Sequence, residues 1–212
     1  MKHIFLLLTV ISLAFGMVNC ESEEAPKTLY EKLEREALKD GKEYNELFLG
    51  LYFGMTKDSF LLHCADLNKD TVLYQGIGGK VEHELKNGEL KYPTRMNFYP
   101  DFHENKIFRI ETKFIYNNWA PWNKDTHTPI MKERVKDLMM DWYGGNEFIR
   151  IPHPVDTLAY IKLDGNRRIL LESNLAGTDM TATFTDLKVE KKIQAELKKR
   201  REEEFKGSET ED

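Results

Sequence analysis

Lys106-Ile107-Phe108-Arg109-Ile110-Glu111-Thr112-Lys113-Phe114-Ile115-Tyr116 decides the fold class. Aromatic and β-branched residues dominate this run, and neither Gly nor Pro interrupts it. Its alternation is imperfect: Ile107, Arg109, Glu111 and Lys113 fall on one side, and Phe108, Ile110, Thr112 and Phe114 on the other. Phe108, Ile110 and Phe114 would then face a core from a half-buried strand, the longest of the chain.

Turn chemistry brackets this strand. His103-Glu104-Asn105 turns the chain ahead of it, and residues 95–99, bounded by Pro93 and Pro100, read as the preceding strand. Asn87-Gly88 is a strong hairpin signal, because a type I′ turn needs positive φ at both central positions. It would join 81–86 to 89–92. Residues 72–75 and 80–85 flank Gly76-Ile77-Gly78-Gly79 in another hairpin. Downstream, 157–163 and 167–173 pair over Asp164-Gly165-Asn166, and 180–187 is the last strand. Residues 47–53 read as a strand or a buried extended segment.

Helices separate these groups. Thr28 with Glu31 three residues on makes a capping box for a helix over 29–40, which Gly41 stops. Thr56 caps a second helix over 57–67 that buries Phe60, Leu61 and Cys64. Thr128 as N-cap and Pro129 in the first turn start a third, with Met131, Val135, Leu138, Met139 and Trp142 on its apolar face and Gly144-Gly145 at its end. Residues 188–205 form a highly charged helix, and 206–212 a disordered tail. The order predicts one α+β domain over 28–187: an antiparallel sheet with helices packed on one face, patterned as two tandem αββ units. Gly54-Met55-Thr56 before an amphipathic helix resembles the repeat start of small outer-membrane assembly lipoproteins and of β-lactamase inhibitor proteins. That resemblance implies a tandem architecture and a binding or assembly role.

The first residues carry an address. Lys2 precedes the apolar run 4–15, which is about half the ~20 residues needed to span a bilayer, and small residues follow. This is the pattern of a secretory signal over 1–19. Met17-Val18-Asn19-Cys20 resembles the processing site of bacterial lipoproteins, which implies acylation of Cys20. Asn19 departs from the Gly, Ala or Ser usual before that cysteine. Cleavage after Gly16, giving a secreted or periplasmic protein, is the alternative. Glu21-Ser22-Glu23-Glu24 opens an acidic linker over 20–27 and resembles a surface-export signal of outer-membrane lipoproteins. Acyl chains would anchor the domain to the membrane at about 0.8 kcal/mol per buried methylene.

The 212-residue chain is long enough for a real core. Removing 1–19 takes away Lys2 alone and leaves 30 basic against 36 acidic residues, a net charge of −6. That argues against non-specific nucleic-acid binding, which needs a basic footprint. With Cys20 acylated, Cys64 is left as a small core residue; without acylation a Cys20–Cys64 bridge is open to it.

Recognisable catalytic chemistry is missing from the pattern. Asp66-Leu67-Asn68-Lys69-Asp70 starts like a calcium loop, but Thr71 and Ile77 stand where Gly and a bidentate Glu are required. Gly76–Lys80 lacks P-loop spacing. His63, His83, His103, His127 and His153 lack the spacing of a zinc site, and no metal or cofactor is expected. Glu82, Glu84 and Glu89 could pair across a hairpin but fit a solvent face better. The aromatics Tyr116, Trp119, Trp122, Trp142 and Tyr143 are the candidate contact residues, because aromatic surface binds partners at low entropic cost. The expected function is a non-catalytic protein-binding or assembly module, with a surface glycan- or ligand-binding protein as the alternative.

Overall fold

The computed structural model describes residues 29–39, 41–86, 88–152, 159–173 and 177–208. In chain order the helices and strands are α1 (Leu29–Lys39), α2 (Lys57–Lys69), β1 (Leu73–Gln75), β2 (Val81–Leu85), β3 (Thr94–His103), β4 (Lys106–Tyr116), α3 (Thr128–Tyr143), β5 (Ile149–Ile151), β6 (Ala159–Asp164), β7 (Arg167–Ser173), β8 (Asp179–Asp186) and α4 (Leu187–Ser208). The strands form one open antiparallel sheet in the order β1-β2-β3-β4-β8-β7-β6-β5. The fold is α+β. Each tandem unit is a helix followed by four strands rather than two, and the units join where β4 pairs with β8.

The imperfect alternation of the long strand has a local cause. Asp101 pairs with Arg109, but Phe102 pairs with Ile107, so Phe108 is the extra residue of a bulge. One inserted residue reverses the facing of the residues beyond it. Ile107 therefore joins Ile110, Phe114 and Tyr116 in the core, while Phe108, expected inside, is half-exposed against the His103 ring. Pro100 does not bound β3 but lies within it. The neighbouring β2 ends opposite Phe98, so one side of β3 is free there, as a proline in a strand requires.

Three further expectations change. Residues 89–92 are not a strand, because β2 pairs directly with β3, Leu85 opposite Thr94. Gly88 does take positive φ, at 110°; Asn87 lies outside the described residues. Residues 47–53 form a tight loop, closed by the Leu47 N–H donating to the Leu51 carbonyl at 2.9 Å. Leu49 and Gly50 turn it at φ 54° and 74°, and His63 Nε2 donates to the Leu49 carbonyl at 2.7 Å. Thr128 is the first residue of α3; its cap is His127. Thr56 caps α2 as expected, accepting from the Ser59 N–H at 3.2 Å. Thr28 and residues 157–158 lie outside the described residues.

The core lies between the sheet and α2 and α3. Phe60 from α2 and Met131, Val135 and Met139 from α3 pack with Met96, Phe98, Phe114, Ile169 and Phe184. Phe48 wedges between the units, 4.9 Å from the Phe98 ring and 5.5 Å from Phe184. The reverse face differs between halves. Behind β6–β8 it is covered: Arg168, which alternates with the core-facing Arg167 and Ile169, donates to Tyr30 of α1 at 2.8 Å and to Glu190 of α4 at 2.7 Å. Helices thus pack on the core face through α2 and α3, and on the reverse face of the second unit through α1 and the base of α4.

Candidate functional site

Residues 117–127 link β4 to α3. Trp122 at the tip is 84% exposed and Trp119 37%. Trp119 stacks on His127, with ring centroids 6.2 Å apart and planes at 27°. His127 Nε2 lies 3.2 Å from the Pro121 carbonyl. The indoles are held from below by a charged support. Asp125 accepts from Lys91 Nζ at 2.7 Å, from the Tyr92 hydroxyl at 2.7 Å and from Arg134 at 2.6 Å. These donors, Lys91 foremost, hold its carboxyl well below the usual carboxylate range. Arg134 also donates to the Asp125 carbonyl and to the Tyr116 hydroxyl, at 2.8 and 3.1 Å. Thr126 is buried and donates to the Asn123 carbonyl at 2.8 Å. An exposed indole on a rigid loop loses little entropy on docking. Covering it removes up to about 200 Å² of largely apolar surface, roughly 4 kcal/mol of driving force.

Tyr116, expected as a contact residue, is 2% exposed. It closes the core under the loop, edge-on to Tyr92 at 5.5 Å, and serves as support instead. Trp142 and Tyr143 end the 16-residue α3, so about 20 Å of helix separates them from Trp119 and Trp122. Both are half-buried against the core. With Phe48, His83, Leu85 and Met96 they line a groove of about 270 Å³. Burial pushes the Tyr143 hydroxyl well above the usual tyrosine range. The five candidate aromatics therefore divide into an exposed pair, a groove pair and a supporting tyrosine. Cys20 lies outside the described residues.

The other polar candidates have local partners. Glu82 faces Arg95 at 3.7 Å, Glu84 accepts from Asn117, and Glu89 accepts from the Lys86 N–H. Asp66 pairs with Lys69 inside α2, so no calcium-type loop forms there. His83 Nδ1 donates to the Val72 carbonyl at 2.8 Å. Burial pushes the Cys64 thiol up to about 11, so it stays protonated and packs as an apolar side chain.

The sequence reading missed an ionic cluster at the base of the second unit. Lys162, Asp164 and Arg167 are all at most 3% exposed. Asp164 accepts from Lys162 Nζ at 2.9 Å, from Arg167 at 3.3 Å and from the Asn146 N–H at 2.9 Å. Arg167 also donates to the Glu46 carbonyl, and its guanidinium sits 4.2 Å from the Tyr143 ring centre. Neighbouring Gly145 and Gly165 have no room for a Cβ, which would lie 2.6 Å from Asp164 Oδ1 and 2.3 Å from the Lys42 carbonyl oxygen. The cluster ties together three segments, those around Glu46, Asn146 and the β6–β7 hairpin. Comparison of the chain with protein-family models, curated proteins and solved structures finds no match.

Proposed function

We propose that this chain is a membrane-anchored envelope lipoprotein whose domain binds another envelope protein through the 117–127 loop, without catalysing a reaction. The exposure of Trp122 on a loop fixed by Asp125 and Arg134 carries the reading. Interface hot spots are rich in Trp and gain from a rigid support. The anchor rests on the leader alone: Lys2, the apolar run 4–15 and Cys20 before Glu21-Ser22-Glu23-Glu24. Glycan binding is the second reading, favoured by an indole face beside Asn118 and Asn123. Aromatic rings cover sugar faces while amides bond hydroxyls.

The test is capture from envelope membranes by the native, anchored protein, against the Trp119→Ala/Trp122→Ala double variant. A defined protein captured by the wild type and lost with the variant supports the first reading. Glycan binding lost with the same variant transfers support to the second. Identical capture by both proteins removes the loop from the function. For the anchor, labelled fatty acid should enter the wild type, and Cys20→Ala should move the protein to the soluble fraction; a wild type that takes up no label defeats the lipoprotein assignment.

A further inference from the structure

The turn between β3 and β4 and the first half of α4 bring together one imidazole and two carboxylates. His103 Nε2 lies 3.8 Å from a Glu196 carboxylate oxygen and 4.0 Å from Glu104 Oε1. One ligand atom from each of the three residues can be chosen with all separations within 4.8 Å. Nε2 itself is buried and makes no hydrogen bond. The Phe108 ring, displaced by the bulge, stands edge-on to the imidazole at 6.3 Å and limits how it can turn. Both glutamates keep their carboxylates partly in solvent, so they can move at little cost.

We infer that His103, Glu104 and Glu196 form a binding site for a divalent transition-metal ion of the Zn²⁺ type. Zinc takes imidazole nitrogen and carboxylate oxygen at about 2.0–2.2 Å, which puts tetrahedral ligands about 3.4 Å apart. The observed 3.8 and 4.0 Å therefore need to close by about half an ångström, and the two carboxylate oxygens, within 4.8 Å of each other, by at most about 1.4 Å. An imidazole in the set selects Zn²⁺, Co²⁺ or Ni²⁺ over Mg²⁺ and Ca²⁺, which prefer oxygen alone. A water would complete the coordination. Lys192 is the built-in competitor. Its Nζ lies 2.9 Å from Glu104 and 3.8 Å from Glu196, and it neutralises the carboxylates when no metal is bound. It is half-exposed, so it can swing into solvent as the ion enters. The bound ion would clamp α4 to the β3–β4 turn and fix the direction in which the helix leaves the domain. The sequence hides this site because its ligands come from adjacent turn residues and from a helix more than ninety positions later, without short ligand spacing.

The experiment is calorimetric titration of the full chain with Zn²⁺, and with Co²⁺ read by its visible ligand-field bands. One ion per chain is expected, with Mg²⁺ at least a hundredfold weaker. His103→Gln and Glu196→Gln should each weaken Zn²⁺ at least tenfold, and Lys192→Gln should strengthen it several-fold. The gain with Lys192→Gln distinguishes the site from any effect of lost folding, and thermal unfolding of each metal-free variant checks that the domain is intact. Failure of the wild type to bind Zn²⁺ at 100-micromolar concentrations, by the scale of affinities at which a site matters, would overturn the inference. So would binding that both His103→Gln and Glu196→Gln leave unchanged.

Discussion

The two units of the sheet hold their charges in opposite ways. In the first, ion pairs form a ladder on the reverse face, which no helix covers among the described residues: Asp101 with Arg109 at 2.6 Å, Glu82 with Arg95 at 3.7 Å and Lys80 with Glu111 at 4.0 Å. In the second, Lys162, Asp164 and Arg167 lie under protein on all sides. Water screens the first set, and loss of a partner there frees a solvated charge. Loss of a partner in the second strands a charge in the interior. The same residue types thus keep one face wet and soluble in one half, and fix a single arrangement of chain segments in the other.

Asp164→Ala is the harshest break of this contrast. It leaves Lys162 and Arg167 buried without their carboxylate and should cost about 3–5 kcal/mol in urea unfolding. Gly165→Ala comes next. Its Cβ meets the Lys42 carbonyl at 2.3 Å and the position holds φ at 53°, so a loss of about 2 kcal/mol or more is expected in the same measurement. In the exposed ladder Asp101→Ala should cost under about 1 kcal/mol, and 0.5 M salt should erase most of it. A loss there as large as that of Asp164→Ala would end the distinction between the halves.

The 117–127 loop lies between these extremes, with its charged support part-exposed. The Asp125 carboxyl is depressed in the folded protein, so its contribution is complete above about pH 4 and fades as pH falls through the folded value. Asp125→Asn should show a shifted emission at neutral pH. The difference in Trp119 and Trp122 emission between the wild type and Asp125→Asn should therefore persist from pH 7 to pH 4 and vanish only as pH falls further, toward the folded value. Trp122→Ala has the smallest effect on stability, within about 0.5 kcal/mol, and tests binding alone.

The legible parts of this fold were those written in local chemistry. Thr56 and Ser59 make a cap within four residues, Pro129 starts a helix, and Asp164-Gly165-Asn166 turns a hairpin, each readable without knowing the partner. The Phe108 bulge was not legible, because an extra residue exists only relative to the strand opposite. Nor was the loop at 47–53, where four buried apolar residues look like a strand until His63 is seen holding its turn. Lys162 and Asp164 alternate as residues of a wet face would; the segment around Glu46 and Asn146 that covers them is remote in sequence. At the candidate site, loop composition pointed to Trp119 and Trp122. It could not separate them from Tyr116, which ends β4 with its ring turned inward.

Arg168 gives the molecule a mechanical property. Its two terminal nitrogens hold Tyr30 of α1 and Glu190 of α4, and Lys191 reaches Glu34 at 2.7 Å beside them. A pull on α1 is therefore shared with α4 through one guanidinium and one lysine. Because Arg168 belongs to β7, the same guanidinium passes that force straight into the sheet. Load on α1 is thus spread at once over β7 and α4, and α1 cannot be drawn away without straining both.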